Sequence, residues 1–336
     1  MLNTLVFSLN AILPLIALIV LGMVIRRLGI LSDDAFRQLN RFNFRFPFCA
    51  LLFMLIYNLD LQQGIPVRLA VMAMVILAVL TAIGLIVACL VTKVRGRRGV
   101  LAQSAFRCDY SIIGLPLSAS LAGQTGEMIA TVFQLPVVIY FNTVGVILFS
   151  IFSNSGEKVR LRTVLLGIVK NPLIQGLVAG LIAVLIRRVI PVGADGQPVF
   201  SIRYTLPWLY QALNYVGRVA TPLALVILGG QMRFSDTSSF RRELVTGVIL
   251  KLLAAPAVGL SLMFLAARMG FLTMGPVEMG VSIALFAGPM AIASVPMAAE
   301  MGCDDKLNGQ IVAWSCVIGM ISLFVIITMF RAMGRL

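Results

Sequence analysis

The chain has 336 residues, 60% of them hydrophobic and only 12% charged, with a mean hydropathy of +1.01, a mixture that excludes an ordinary soluble domain and indicates an integral membrane protein. A net charge of +14 would suggest nucleic acid in a soluble chain, but Lys and Arg gather in short runs between apolar stretches, where they hold loops at the cytoplasmic surface. With no histidine anywhere, His-based metal sites and His-dependent triads are excluded, and neither an enzyme nor a cofactor protein is expected.

A helix needs about 20 residues to cross the hydrocarbon core, and runs of that length predict ten segments. The first, near 4–25, has no Lys or Arg ahead of it and no small-residue cleavage motif, so it is expected to stay as a helix rather than leave as a signal peptide. Segments two to five follow near 42–57 (starting within 36–41), 67–92, 101–122 and 127–152. A polar link around Ser153-Asn154-Ser155-Gly156-Glu157-Lys158 leads to segments six to ten, near 163–189, 207–231, 244–267, 274–299 and 309–331. The longest polar connection, 187–205, carries Pro191-Val192-Gly193 and reads as a loop. Five scattered cysteines without a CxxC spacing read as packing residues.

Charge sets the orientation. Seventeen Lys and Arg residues fall on one set of connections, while seven, Arg68, Arg187, Arg188, Arg203, Arg268, Arg331 and Arg335, fall on the other. The richer set belongs inside, which puts both termini outside. Five spans per half then place residues 1–155 and 156–336 in opposite orientations, an inverted repeat. Direct self-similarity is faint: Leu39-Asn40 leads through Arg45 to Pro47, and Leu213-Asn214 through Arg218 to Pro222.

Corresponding segments four and nine each carry a proline beside a glycine, in Gly114-Leu115-Pro116 and Gly288-Pro289. Proline removes a helix hydrogen bond and clashes with the carbonyl four residues back, so each segment is predicted to break there. Pro296 is a rival break in segment nine. A lone membrane proline usually means a kink, but breaks in corresponding halves mark a binding site. A half-helix N-terminus suits a carboxylate, and freed carbonyls suit a cation. Gly114 and Gly288 would leave backbone open, with the Ser118 and Ser294 hydroxyls near. Gln134 and Asn142 in segment five either line the cavity or bond helix to helix. Asp109, roughly 10 Å from Pro116 along a helix, is either a site carboxylate able to take up a proton, and so the coupling candidate, or the ion-pair partner of Arg107. Lys251 in segment eight either snorkels to the inside surface or contacts ligand.

These motifs, in this order, resemble the auxin efflux carrier family, whose members include bacterial organic-anion permeases and the plant PIN carriers, over nearly the whole chain. Asp109-Tyr110-Ser111-Ile112-Ile113-Gly114-Leu115-Pro116-Leu117, closing at Gly123, resembles the family's fourth-segment pattern, with Asp109 and Tyr110 standing where Asn and Thr are usual. Lys170-Asn171-Pro172, Thr221-Pro222-Leu223 with Gly229, Lys251 five residues before Pro256, and Gly288-Pro289-Met290-Ala291 through Gly302 are similar to its later patterns. The resemblance implies a scaffold of segments 1, 2, 6 and 7, often dimeric, and a mobile transport domain of segments 3–5 and 8–10, with segments four and nine crossing at their prolines.

The expected protein is therefore an all-α, ten-helix, multi-pass protein of the cell inner membrane, a homodimer through its scaffold helices among membrane lipids. Its expected work is secondary transport of small organic anions, such as carboxylates or auxin-like acids, by alternating access. A sodium-coupled symporter of the bile-acid transporter type is the alternative, and a channel is a third reading. No GxxxxGK[ST] loop occurs, so ATP is not the fuel.

Overall fold

The computed structural model describes residues 2–58, 67–153, 172–190, 200–234 and 237–336, and every regular element among them is helical. Lys170-Asn171, the link beyond Ser153 and residues 191–199 of the long loop lie outside the described residues.

Helix α1, Leu2–Arg27, closes on Arg26 and Arg27, which complement the negative end of a helix. The two-faced α2, Asp33–Arg45, is capped by Ser32 Oγ, which accepts from the Ala35 N–H at 3.2 Å, and carries Asp33 and Asp34 in its first turn. Apolar α3, Pro47–Tyr57, starts at a proline, whose missing N–H ends the preceding pairing and suits a first turn. Helix α4, Val67–Val91, is an unbroken apolar span.

Segment four is interrupted. Helix α5, Arg95–Ser104, gives way to irregular backbone at 105–109, then a π-helical turn, Tyr110–Gly114, then α6, Leu115–Phe152. Helix α6 is itself two pieces, because Ala122 and Gly123 leave helical geometry. The φ of 61° and ψ of −157° at Gly123 lie where only glycine sits without strain. Segments four and five thus run together, bent at the glycine that ends the fourth-segment motif.

Helices α7, Pro172–Val189, α8, Ile202–Thr205, and α9, Pro207–Gln231, follow. Helix α10, Arg241–Ile249, passes through a second π-helical turn, Leu250–Ala254, into α11, Ala255–Arg268. Each π turn ends two residues before a proline, Pro116 or Pro256. The ring cannot accept the carbonyl four residues back in α geometry, so the turn widens by one residue. The Leu252 carbonyl released in this way accepts from Ser322 Oγ at 3.3 Å. Segment nine is α12, Pro276–Phe286, then irregular residues 287–293, then α13, Ser294–Glu300. The chain closes with α14, Asp305–Ala332, whose first turn is capped by Asp304.

Among the described residues, 7 helices have the length and hydropathy of membrane spans, against ten predicted segments. The difference has local causes. Segments four and five merge into Tyr110–Phe152, segment nine is cut short by its break, and only Pro172–Arg187 of segment six falls within the described apolar helix. Large apolar side chains such as Leu90, Leu253 and Ile321 stand exposed, as lipid-facing surface requires.

The chain divides into two compact units: Met1–Ala17, Pro66–Leu165 and Met232–Leu336 form one, Leu18–Ile65 and Leu166–Gln231 the other. In the smaller unit helices meet through glycine. A β-carbon at Gly176 or Gly180 of α7 would fall within 3 Å of α3, and one at Gly229 of α9 would fall 1.8 Å from the Ile19 carbonyl of α1. Small residues permit this approach where lipid leaves no hydrophobic force to press helices together. In the larger unit α4 packs on α5 and α11, and α6 on α12.

Candidate functional site

The irregular stretches of segments four and nine meet inside the larger unit. The Asp109 N–H donates to the Pro289 carbonyl at 2.9 Å, and the Ile292 N–H donates to Asp109 Oδ2 at 3.3 Å. Backbone and side chain of one residue therefore join both breaks. The preceding pair touches as well, since a β-carbon on Gly288 would lie 3.7 Å from that of Cys108. The Met290 N–H donates to Ser315 Oγ of α14 at 3.1 Å, and Gly319 on the same helix makes room for the Pro289 ring. These bonds explain how backbone can leave a helix here: an unmet amide in hydrocarbon costs several kcal/mol.

The break in segment four lies at 105–109, ahead of Pro116, which corrects the expected crossing of two prolines. Pro289 meets Asp109 instead. Pro116 occupies the first turn of α6, where a missing N–H costs nothing, and its ring acts on the π turn before it. Gly114 does not present open backbone either. The Tyr110 ring covers it, 2.5 Å from where a β-carbon would sit, and its carbonyl accepts from Ser118 Oγ at 2.8 Å.

Fully buried Gln134 donates to Ser111 Oγ in the π turn, so segments four and five are joined beside the crossing, and its Oε1 has no hydrogen-bond partner. Asn142 donates to the Val138 carbonyl at 2.9 Å, one turn back on its own helix. Ser294 is fully buried and reaches the Ala291 carbonyl at 2.7 Å and Asn308 Oδ1 at 3.2 Å, tying the start of α13 to α14.

Two charged residues behave otherwise than expected. Arg107 forms no ion pair with Asp109. Its Nη1 donates to Gln103 Oε1 at 3.0 Å and the Phe141 carbonyl at 3.3 Å, in a space that a β-carbon at Gly145 would invade. Lys251 does not snorkel: it is fully buried in the second π turn, its Nζ without a hydrogen-bond partner, within electrostatic reach of Cys108. Ser111, Cys108, Asn308 and Ser315 escaped the sequence reading. Only Ser111 had a signal, its place inside the fourth-segment motif. Among the described residues no group of three or more His, Cys, Asp or Glu is placed to hold a metal.

The family described as "Membrane transport protein" matches residues 7–327. The chain belongs to this family, the auxin efflux carriers. An "Uncharacterized transporter" of Methanothermobacter thermautotrophicus is 23% identical to it over 330 residues, 94% of this chain and 96% of that protein. In this membrane transport protein the crossing is closed by its own side chain, because the Asp109 carboxylate takes the amide that freed backbone would otherwise offer.

Proposed function

We propose that the protein is a secondary transporter of small organic anions such as carboxylates, working by alternating access, with the crossing of segments four and nine as its binding site. The supporting observation is the pair of interrupted segments joined at Asp109 and Pro289 within a membrane-spanning unit. On this reading the ten segments form two inverted five-helix repeats in the inner membrane with both termini outside. The smaller unit is the scaffold, which pairs with a second copy, and the larger unit carries the substrate.

Asp109 supplies the coupling. Its ionised carboxylate accepts the Ile292 N–H through a charge-assisted bond, and such bonds are roughly twice as strong as neutral ones. Protonation weakens that acceptor and frees the amide for a substrate carboxylate, so proton and anion bind together. A sodium-coupled symporter is the second reading, favoured by the oxygens of Ser111, Gln134, Ser294 and Asn308 gathered near the breaks. Substrate identity is approached through thermal stabilisation by a panel of mono- and dicarboxylates and indole acids, since a ligand that binds only the folded state raises its stability. The stabilising acid is then loaded into proteoliposomes under an imposed proton or sodium gradient. Saturable accumulation driven by protons supports the proposal. Accumulation that needs sodium establishes the second reading, and flux without saturation or trans-stimulation marks a channel.

A further inference from the structure

The larger unit carries a groove that the crossing does not use. It has a volume of about 1330 Å³ and runs between α11 and α14, floored by side chains such as Leu260, Phe264 and Val325. Among the described residues, the charged ones that line it are Arg268 and Arg335, and no acidic residue faces it. Neither guanidinium has a hydrogen bond or ion pair among the described residues. Neighbouring Arg331 differs, since it donates to the Leu336 carbonyl and stacks 4.3 Å over the Phe7 ring. Arg68 reaches the Phe271 carbonyl at 3.4 Å, beside the same rim. Four of the seven basic residues assigned to the outer side by charge bias thus gather at one end of this unit, against the rule that keeps such charge inside. Unpaired arginines at the mouth of an apolar groove match a phosphate joined to acyl chains. Phosphate accepts the two-pronged guanidinium bond, and the chains cover the apolar floor.

We propose that this groove is a binding site for an anionic phospholipid of the surrounding bilayer, with the headgroup phosphate on Arg268 and Arg335 and an acyl chain laid between α11 and α14. The proposal is independent of what the crossing transports.

The test uses the full-length protein in detergent, with lipid retention followed by native mass spectrometry for dioleoyl phosphatidylglycerol, dioleoyl phosphatidylcholine and glycerol phosphate. Each arginine near a membrane surface contributes about 1 kcal/mol toward an anionic lipid, so the wild type should prefer phosphatidylglycerol over phosphatidylcholine by about thirtyfold. Arg268→Gln with Arg335→Gln should erase that preference. Ala257→Trp, on the exposed groove wall, should lower retention of both lipids while leaving the arginines in place. Equal retention of the two lipids by the wild type, or a preference that survives loss of both arginines, overturns the proposal. So does glycerol phosphate competing as well as whole lipid, which would make the site one for free phosphate esters.

Discussion

At Asp109, which stands where the family resemblance implies Asn, one amide and one carboxylate oxygen join two interrupted segments. The two residue types differ in one respect that transport can read. An Asn side chain still offers an oxygen to the Ile292 N–H but cannot change charge. Asp109→Asn should therefore abolish proton-driven accumulation in proteoliposomes while preserving exchange of substrate for substrate. Accumulation under a proton gradient by that variant would remove Asp109 from the coupling step. Asp109→Ala serves as the structural control. It leaves the buried amide unmet at a cost of about 1–3 kcal/mol, so thermal unfolding should fall by several degrees where the Asn variant stays close to wild type.

At the scale of elements, proline acts here less by cutting helices than by widening them. Pro116 and Pro256 each follow a π turn, whereas the backbone around Pro289 is unwound, as is the stretch 105–109 that meets it. The unwound crossing can be trapped covalently. A cysteine at Gly288 would place its β-carbon 3.7 Å from that of Cys108, inside the 3.5–4.5 Å range of disulfides. In a background with Cys49, Cys89, Cys303 and Cys316 replaced by Ser, Gly288→Cys should form that disulfide on mild oxidation, read by peptide mass spectrometry. Transport should stop when it forms and return on reduction. Absence of the disulfide in folded, oxidised protein would refute the contact between segments four and nine. Gly123 makes a second expectation at this scale. Any β-carbon is strained at its backbone angles, so Gly123→Ala should destabilise the protein by about 1–3 kcal/mol, measured as loss of folded protein on heating.

For the whole molecule the charge bias predicts both termini and the 187–205 loop on the outer side. Single cysteines introduced at the termini and in that loop, in a cysteine-free background, should react with a membrane-impermeant maleimide added to intact cells. Labelling of the loop only after the cells are broken would reverse the topology, and with it the side on which the anionic-lipid groove opens. The larger unit, 1–17 with 66–165 and 232–336, is the proposed transport unit, and the smaller, 18–65 with 166–231, the proposed scaffold. A double cysteine within the smaller unit should cross-link without effect on transport.

Membrane residence, the run of apolar segments, the family and the interruption at Pro289 were all legible in the sequence, because each rests on local properties: hydrophobic length, charge between spans, and the ring of a proline. Gly123 was legible only as the close of the fourth-segment motif, and the bend it makes between segments expected to be separate spans came from the structure. Tertiary structure alone decided where segment four breaks, because backbone may leave a helix in hydrocarbon only where distant partners meet its amides and carbonyls. Those partners lie 183 residues away for Asp109 and Ile292. It also decided that Arg107 turns to Gln103 rather than to Asp109, and that Lys251 is sealed inside instead of reaching the surface. A charged side chain's neighbours in space depend on how helices pack, and no spacing along the chain encodes that.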